Sequence, residues 1–221
     1  MKKLLLISVA TMALAACSGN KTESTKAETS SDTTVVEENA KQANAAFVLT
    51  ENGVGSLEMK KPFNDTSKSD EGLYNKVTKE SYTDEASGVK VYDYTLYMDD
   101  EKVAGFTLAG EKAPIEMLHI YSPRISMANG AHPGMLMRDF VKLEGANAEG
   151  GEGMDWNYEV PVSVGKIFAY GWWMGEGGDI LTEQGKSKAG SAGMGETVKL
   201  TAEDFLPEVT VTDLCVYRKD E

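Results

Sequence analysis

Aromatic and acidic side chains, the residue types best suited to chemistry in this sequence, lie close together between positions 152 and 179. Hydrolysis of a glycoside needs two carboxyl groups that flank the scissile bond, and aromatic rings offer broad apolar surfaces to a ligand. On one strand, the neighbours Trp172 and Trp173 would point to opposite faces, so at least one of them would belong to the core. We therefore treat Trp156, Trp172 and Trp173 as candidates for ligand contact, and we assign no catalytic role to the acids. The full set is Trp156, Tyr158, Tyr170, Trp172 and Trp173, with Glu152, Asp155, Glu176 and Asp179.

Histidine and cysteine, the other residues that often perform chemistry, are scarce. The sequence contains only His119, His132, Cys17 and Cys215. A structural zinc site usually takes four Cys or His ligands and a catalytic one takes three protein ligands, so we expect no metal and no cofactor. The sequence also lacks the Gly-Xaa-Ser-Xaa-Gly motif of many serine hydrolases. Cys215 lies in the strand-like run VTVTDLCVY, where we expect a small buried hydrophobe rather than a reactive thiol.

Cys17 follows a segment with the three parts of a secretory signal. Residues 1–3 include two lysines, residues 4–14 are apolar, and the two residues before Cys17 are alanines. The apolar part is only about half of the ~20 residues that a membrane-spanning helix needs, so we expect it not to remain as a span. The alternative to a lipidation site at Cys17 is an ordinary signal peptide with an incidental cysteine.

Leu14-Ala15-Ala16-Cys17 resembles the bacterial lipobox. The resemblance implies that the peptide bond before Cys17 is cut and that the thiol of Cys17 is diacylated. Two or three acyl chains hold a protein durably on a bilayer, since each buried methylene contributes ~0.8 kcal/mol. The residue after Cys17 is Ser18 and not an Asp, which is compatible with sorting to the outer membrane of a two-membrane bacterium.

The segment behind Cys17 is polar, and the whole chain is acidic. Residues 18–44 contain a single apolar pair, Val35-Val36, and cannot bury enough apolar surface to offset the entropy of ordering, so we predict a disordered tether. The formal net charge is −13, and loss of Lys2 and Lys3 with the signal would make it −15. Such a charge argues against a nucleic-acid partner and against adsorption to an anionic membrane.

The rest of the chain predicts one domain of the α+β class, mainly an antiparallel β-sheet (meander) with one or two short helices. Alternating apolar residues over 88–121 favour three successive strands with short connections. We predict a short helix over 134–143 and irregular loops over 145–195, which contains 13 of the 22 glycines. Two strand-like runs, YEVPVSV and KIFAYGWWM, interrupt these loops. Other predicted strands are Phe47–Thr50, Thr197–Leu200 and Val209–Tyr217.

A family resemblance adds to this interpretation. The segment Ser122-Pro123-Arg124-Ile125-Ser126-Met127-Ala128-Asn129-Gly130-Ala131-His132-Pro133-Gly134-Met135, with Asn52-Gly53-Val54-Gly55-Ser56-Leu57 before it, is similar to the sigma-E-regulated enterobacterial lipoproteins of unknown function. The similarity extends over about residues 45–145, and Met127 stands where we expect a small hydroxyl residue. The resemblance implies an outer-membrane lipoprotein fold, and it carries no catalytic residue.

The sequence thus predicts a non-enzymatic lipoprotein of the cell envelope that binds or supports another envelope component. Residues 1–16 would be the signal peptide, 17–44 the lipidated Cys17 with its tether, and 45–221 a single globular β-rich domain. Its predicted partners are the membrane, through the lipid anchor, and an envelope protein or a glycan. The alternative function is a glycan-binding module or a glycan-active hydrolase that uses the Trp- and acid-rich region 152–179.

Overall fold

The computed structural model describes residues 47–64, 68–151, 162–172, 180–193 and 196–217. All of them belong to one compact unit, which extends from Asn39 to Glu221. Cys17, Trp156 and Trp173 lie outside the described residues, and of Trp172 only the backbone is described. Within these ranges no helix has the length and apolar character needed to cross a membrane.

The secondary structure consists mainly of short strands. In chain order the strands are β1 (Phe47–Leu49), β2 (Gly53–Val54), β3 (Leu57–Glu58), β4 (Lys76–Thr83), β5 (Lys90–Met98), β6 (Glu101–Leu108), β7 (Met117–Ile120), β8 (Ile125–Met127), β9 (Ala146–Gly151), β10 (Val162–Val164), β11 (Ile167–Trp172), β12 (Thr197–Lys199) and β13 (Thr210–Tyr217). The helices are α1 (Met137–Phe140), α2 (Glu183–Ala189) and a 3₁₀ helix (Ala202–Asp204).

Nine strands of the described ranges form one sheet, which we call the main sheet, and all neighbouring strands in it are antiparallel. Their order across the sheet is β12-β9-β10-β11-β13-β7-β6-β5-β4. β1 and β8 form a separate parallel pair, and β2 and β3 form a short antiparallel one. The described part of the chain is therefore mostly antiparallel β-sheet with few short helices, as the sequence predicts.

The predicted meander over residues 88–121 is confirmed, because β5, β6 and β7 are successive antiparallel neighbours. The turn between β5 and β6 is stabilised by the side chain of Asn75, which precedes β4. Asp99 adopts a left-handed backbone conformation with φ of 55°. The side chain of Asn75 donates one hydrogen bond to Asp99 Oδ1 and accepts another from the Asp99 backbone N–H, each 2.8 Å long. These two bonds stabilise the reversal of the chain, and β7 then follows on the far side of β6.

One face of the main sheet, the inner face, packs into the hydrophobic core, and we call the opposite side the outer face. On the two central strands, β7 and β13, the inner-face side chains are almost completely buried. They are Leu118, Ile120, Leu214 and Val216. Phe140 of α1 and Phe205, which follows the 3₁₀ helix, belong to the same buried cluster. Burial of a large apolar side chain contributes about 1.5–3 kcal/mol, so this layer holds β7 beside β13 and fixes which residues face outward.

The predicted helix over 134–143 is shorter than expected, since α1 spans only Met137–Phe140. The residues before α1 form backbone hydrogen bonds with the segment at the start of β13 instead. Val211 N donates to Met135 O at 2.8 Å, and Met137 N donates to Val209 O at 2.8 Å. Leu136 is accordingly extended, with ψ of 138°, so a helix cannot begin before Met137.

Within the range 145–195, the predicted strand-like runs YEVPVSV and KIFAYGWWM correspond, in the described residues, to β10 and β11. The prediction of irregular loops around them is wrong where the structure describes β9 and α2. The glycines there allow close packing. A Cβ on Gly150 of β9 would lie 2.6 Å from the Cβ of Ala189 in α2, so only glycine lets this helix lie against the strand. Thr182 caps α2, because its Oγ1 accepts a hydrogen bond from Gly185 N at 3.1 Å.

The predicted strands near the two ends of the domain are present, but their partners lie far away in the sequence. Phe47–Thr50 corresponds to β1, which pairs in parallel with β8. Thr197–Leu200 and Val209–Tyr217 correspond to β12 and β13, which do not pair with each other. β12 is an edge strand beside β9, whereas β13 lies in the middle of the main sheet between β11 and β7.

Candidate functional site on the outer face of the main sheet

The two central strands bring His119 and Cys215 together. In the register of β7 and β13, Cys215 lies directly opposite His119. Asp213 is two residues before Cys215 on β13, so its side chain is on the same face, and it pairs with the ring of His119. Asp213 Oδ2 lies 2.7 Å from His119 Nδ1, and Cys215 Sγ lies 3.8 Å from His119 Nε2.

Aromatic rings flank His119 on this face. The ring of Tyr121 stacks on His119, with centroids 6.1 Å apart and an interplanar angle of 10°, and Tyr170 of β11 lies 6.1 Å from the same ring. The Lys102 ammonium lies 3.6 Å from the centroid of the Tyr121 ring, a cation–π contact. We call the six residues Lys102, Tyr121, His119, Asp213, Cys215 and Tyr170 the outer-face cluster.

A glycine on β6 makes room for this arrangement. A Cβ on Gly105 would lie 3.3 Å from the Tyr121 ring, tighter than most such contacts. Gly105 is also the register partner of His119, so the absence of a side chain there lets the Tyr121 ring lie beside the imidazole. The position of the outer-face cluster therefore depends on a small residue in a neighbouring strand.

Burial controls the protonation of Cys215 and Tyr121 in this cluster. Burial, and secondarily the charge of Asp213, raises the pKa of the Cys215 thiol to about 12. Burial likewise raises the pKa of Tyr121 to about 12, with added effects of Asp213 and Cys215. The thiol of Cys215 is thus protonated at neutral pH, and it lies within hydrogen-bonding distance of His119 Nε2.

The order Cys215, His119, Asp213 is that of a nucleophile, a base and the carboxylate that orients the base. The details differ from those of an active thiol. Cys215 is 0% exposed, and a nucleophilic cysteine needs a lowered pKa and an open path to its sulfur atom. The side chains of His119 and Asp213 are 29% and 13% exposed, so they cover the thiol rather than open it. The arrangement is that of a satisfied, buried polar network between two central strands.

No protein-family model matches the chain, and no curated protein sequence matches it. Among solved structures, the chain is similar to the crystal structure of the uncharacterized protein yfeY from Escherichia coli. The two sequences are 17% identical, the match covers 77% of this chain and 99% of that chain, and the TM-score is 0.47.

An apolar pair lies beside the outer-face cluster. Met117 and Tyr217 are opposite each other in the register of β7 and β13 and share the outer face with His119 and Cys215. They are 37% and 44% exposed, which makes them two of the more exposed large apolar side chains among the described residues. Met117 and Tyr217 pair with each other across β7 and β13, and a partner could contact this surface through their side chains.

The candidate residues from the sequence are therefore only partly brought together. His119 and Cys215 meet, whereas His132 lies in a turn and its Nδ1 is 2.8 Å from the carbonyl oxygen of Pro133. In the described part of the chain no group of three or more His, Cys, Asp or Glu side chains could hold a metal ion. The prediction that Cys215 is a buried residue of a strand is confirmed. Trp156 and Trp173, with the acids named beside them, lie outside the described residues.

Asp213 was not a candidate in the sequence analysis. The alternation of β13 does place Asp213 and Cys215 on one face, and that signal is local. The partnership with His119 spans 94 residues and depends on the pairing of β7 with β13, which no local pattern predicts.

Proposed function

We propose that this protein is a non-enzymatic, lipid-anchored protein of the bacterial cell envelope that binds or supports another envelope component. The observation that carries the non-enzymatic part is the complete burial of Cys215. Among the described residues, His119, Asp213 and Cys215 come closest to a catalytic arrangement, and burial keeps that thiol protonated and covered. We assign the domain of residues 45–221 to the α+β class, supported by α1 and α2, which accompany the antiparallel sheet.

The anchoring part of the proposal rests on the sequence at Leu14–Cys17, which resembles a lipobox, and on the polar segment 18–44 behind it. A flexible tether of about 27 residues has an end-to-end distance on the order of 30 Å. The domain would then lie within reach of the membrane surface, and Ser18 favours the outer membrane as its location. The partners in this proposal are the membrane, through acyl chains on Cys17, and a second envelope component.

The surface best suited to a protein partner is the exposed pair Met117 and Tyr217 beside the outer-face cluster. Exposed aromatic and Met side chains are enriched where proteins bind one another. A photoreactive amino acid at Tyr217, introduced into the full-length lipoprotein in growing cells, is expected to give a discrete cross-linked product in the envelope fraction. The same probe at Glu58, an exposed residue of β3, serves as the matched control. Absence of a product at position 217, or the same product at both positions, would contradict a binding role for this surface.

The alternative function is glycan binding, or glycan hydrolysis, by the region 152–179. One observation favours it: β11 carries Tyr170, which contacts His119, and the same strand continues to Trp172. Tyr170, which belongs to the region 152–179, is therefore also a member of the outer-face cluster. Titration of tryptophan fluorescence with peptidoglycan fragments and outer-membrane sugars distinguishes the two functions. A saturable change that disappears in Trp156→Phe and Trp173→Phe would support the alternative, whereas our proposal predicts no saturable change.

A further inference from the structure

A groove of about 380 Å³ lies where β1 and β8 end and the chain turns from β10 to β11. Its apolar part is formed by Leu49, Met127 and Ile167, which are buried, with Val164 beside them. Two carboxylate side chains, those of Glu51 and Glu144, also line it. Its size falls within the range of roughly 300–1,000 Å³ that is usual for small-molecule sites. The groove thus combines an apolar floor with acidic walls.

The backbone of the β10–β11 turn holds Glu51 in place. Lys166 N donates a hydrogen bond to Glu51 Oε1 at 3.1 Å, although the two residues are 115 positions apart. A Cβ on Gly165 would lie 2.6 Å from the same oxygen, and Gly165 has a left-handed φ of 59°, so both this contact and the backbone conformation favour glycine there. The Lys166 side chain is exposed, and no ion pair joins its ammonium to Glu51 within the described contacts. The carboxylate is therefore positioned by the backbone rather than neutralised.

The turn after β8 holds the part of the lining that contains Glu144. Asn129 Nδ2 donates to the carbonyl oxygen of Glu144 at 3.1 Å, and Asn129 Oδ1 accepts from Ala131 N at 3.2 Å. This side chain links the turn to the chain segment that carries Glu144. The Glu144 side chain itself is exposed, so its carboxylate is available to a ligand from solvent.

The charge of the protein favours a cation in this groove. The formal net charge of −13 gives a negative potential that attracts positive ligands over long distances. A purely ionic ligand would not use the apolar floor, and a purely apolar one would not use the two carboxylates. A ligand that contacts both the apolar floor and the carboxylates has an apolar stem and one positively charged end. A lysine side chain has this combination.

We propose that this groove binds the side chain of a lysine from a protein partner, with the methylenes on Met127 and Ile167 and the ammonium between Glu51 and Glu144. This inference does not depend on the outer-face cluster, because the two surfaces use different residues. It adds a chemical class of ligand to the domain: a primary alkylammonium on a short apolar stem.

Methyl NMR of the full mature chain tests this proposal with small probes. Nα-acetyl-lysine methylamide is expected to shift the methyl resonance of Met127 in a saturable way and to leave that of Met137, which is buried in α1, unchanged. The norleucine analogue keeps the apolar stem without the ammonium and is expected to bind at least a few-fold more weakly. The glutamate analogue reverses the charge and is expected not to bind.

Variants separate this site from general electrostatic attraction. Glu51→Gln and Glu144→Gln are each expected to weaken binding of the lysine probe by up to about fivefold, the range for exposed ion pairs. Glu116→Gln removes the same charge from an exposed position outside the groove and is expected to leave the affinity unchanged. Equal affinities for the lysine and norleucine probes, equal effects of all three variants, or no shift of Met127 would overturn the proposal. Tighter binding of the free diamine cadaverine would assign the site to diamines and overturn it as well.

Discussion

Cys215 is expected to react with thiol reagents far more slowly than an ordinary cysteine. Only the thiolate is nucleophilic, and burial raises the pKa of Cys215 from 9.0 to about 12. At about pH 8 this shift lowers the thiolate fraction by about three orders of magnitude relative to an unperturbed thiol. The side chain is also completely buried, which limits access of a reagent to the sulfur atom and slows the reaction further.

The assay is the reaction of the mature chain with a disulfide reagent that releases a coloured thiolate. Cys17→Ser leaves Cys215 as the single thiol, since the sequence has two cysteines. We expect the native protein to react at least about a thousandfold more slowly than the same protein in urea. Between about pH 7 and 10 the native rate is expected to rise about tenfold per pH unit without a plateau, because the thiol titrates only at higher pH.

His119→Ala distinguishes a covered thiol from an activated one. In our account the imidazole shields Cys215, so its removal increases the native reaction rate. In a catalytic arrangement the imidazole would activate the thiol, and its removal would decrease the rate. A native rate within about tenfold of that in urea, or a slower reaction of His119→Ala, would refute the reasoning.

Two further predictions concern stability. Asp204 is nearly completely buried, forms a 2.8 Å ion pair with Lys188 and accepts hydrogen bonds from Thr201. We therefore expect Asp204→Asn to lower the free energy of unfolding by about 2 kcal/mol, measured in urea melts at neutral pH. Burial alone would raise the pKa of Asp204, but Lys188 and Thr201 hold it below its usual value. Its stabilisation is therefore present above about pH 4, the unfolded value, and is lost as the pH falls through the lower folded value. A Cβ on Gly185 would lie 2.3 Å from the carbonyl oxygen of Asp204, so Gly185→Ala is expected to cost about 1–3 kcal/mol by the same measurement. Gly190→Ala, at the end of the same helix, would place its Cβ no closer than 3.3 Å to another atom and is expected to cost less than Gly185→Ala.

These stability predictions have clear contrary outcomes. A loss below about 0.5 kcal/mol in Asp204→Asn would mean that the ion pair and the Thr201 hydrogen bonds contribute no net stability. The same conclusion would follow if acidification lowered the free energy of unfolding of Asp204→Asn as much as that of the original protein. Equal effects of Gly185→Ala and Gly190→Ala would contradict the close approach of α2 to the 3₁₀ helix.

Local sequence patterns were sufficient for the centre of the fold. The alternation in β5 and β6 is a property of adjacent residues, so the meander through β7 could be predicted without any knowledge of distant contacts. The burial of Cys215 followed from the β-branched residues around it. In both cases the relevant information is contained within a few positions of the chain.

Features that depend on distant segments could not be predicted in this way. The start of α1 is set by one hydrogen bond between Met135 and Val211, which are 76 positions apart, and another between Met137 and Val209, which are 72 apart. The glycines of β9 suggested loops, yet Gly150 is in a strand because α2 packs against it. The polar sequence of β4 lacks an apolar face because this strand forms an exposed edge of the sheet. The link between His119 and Asp213 likewise exists only after β7 and β13 have paired.

The most direct test of the central claim, a lipid-anchored envelope protein, is the membrane association of the protein with and without the sulfur atom of Cys17. Cells that produce the original protein or Cys17→Ser are labelled with a palmitate analogue and separated into membrane and soluble fractions. Our account predicts that the original protein is labelled and remains in the outer-membrane fraction, whereas the exported Cys17→Ser form is unlabelled and soluble. An exported Cys17→Ser form that fractionates with the outer membrane as the original does would contradict the account.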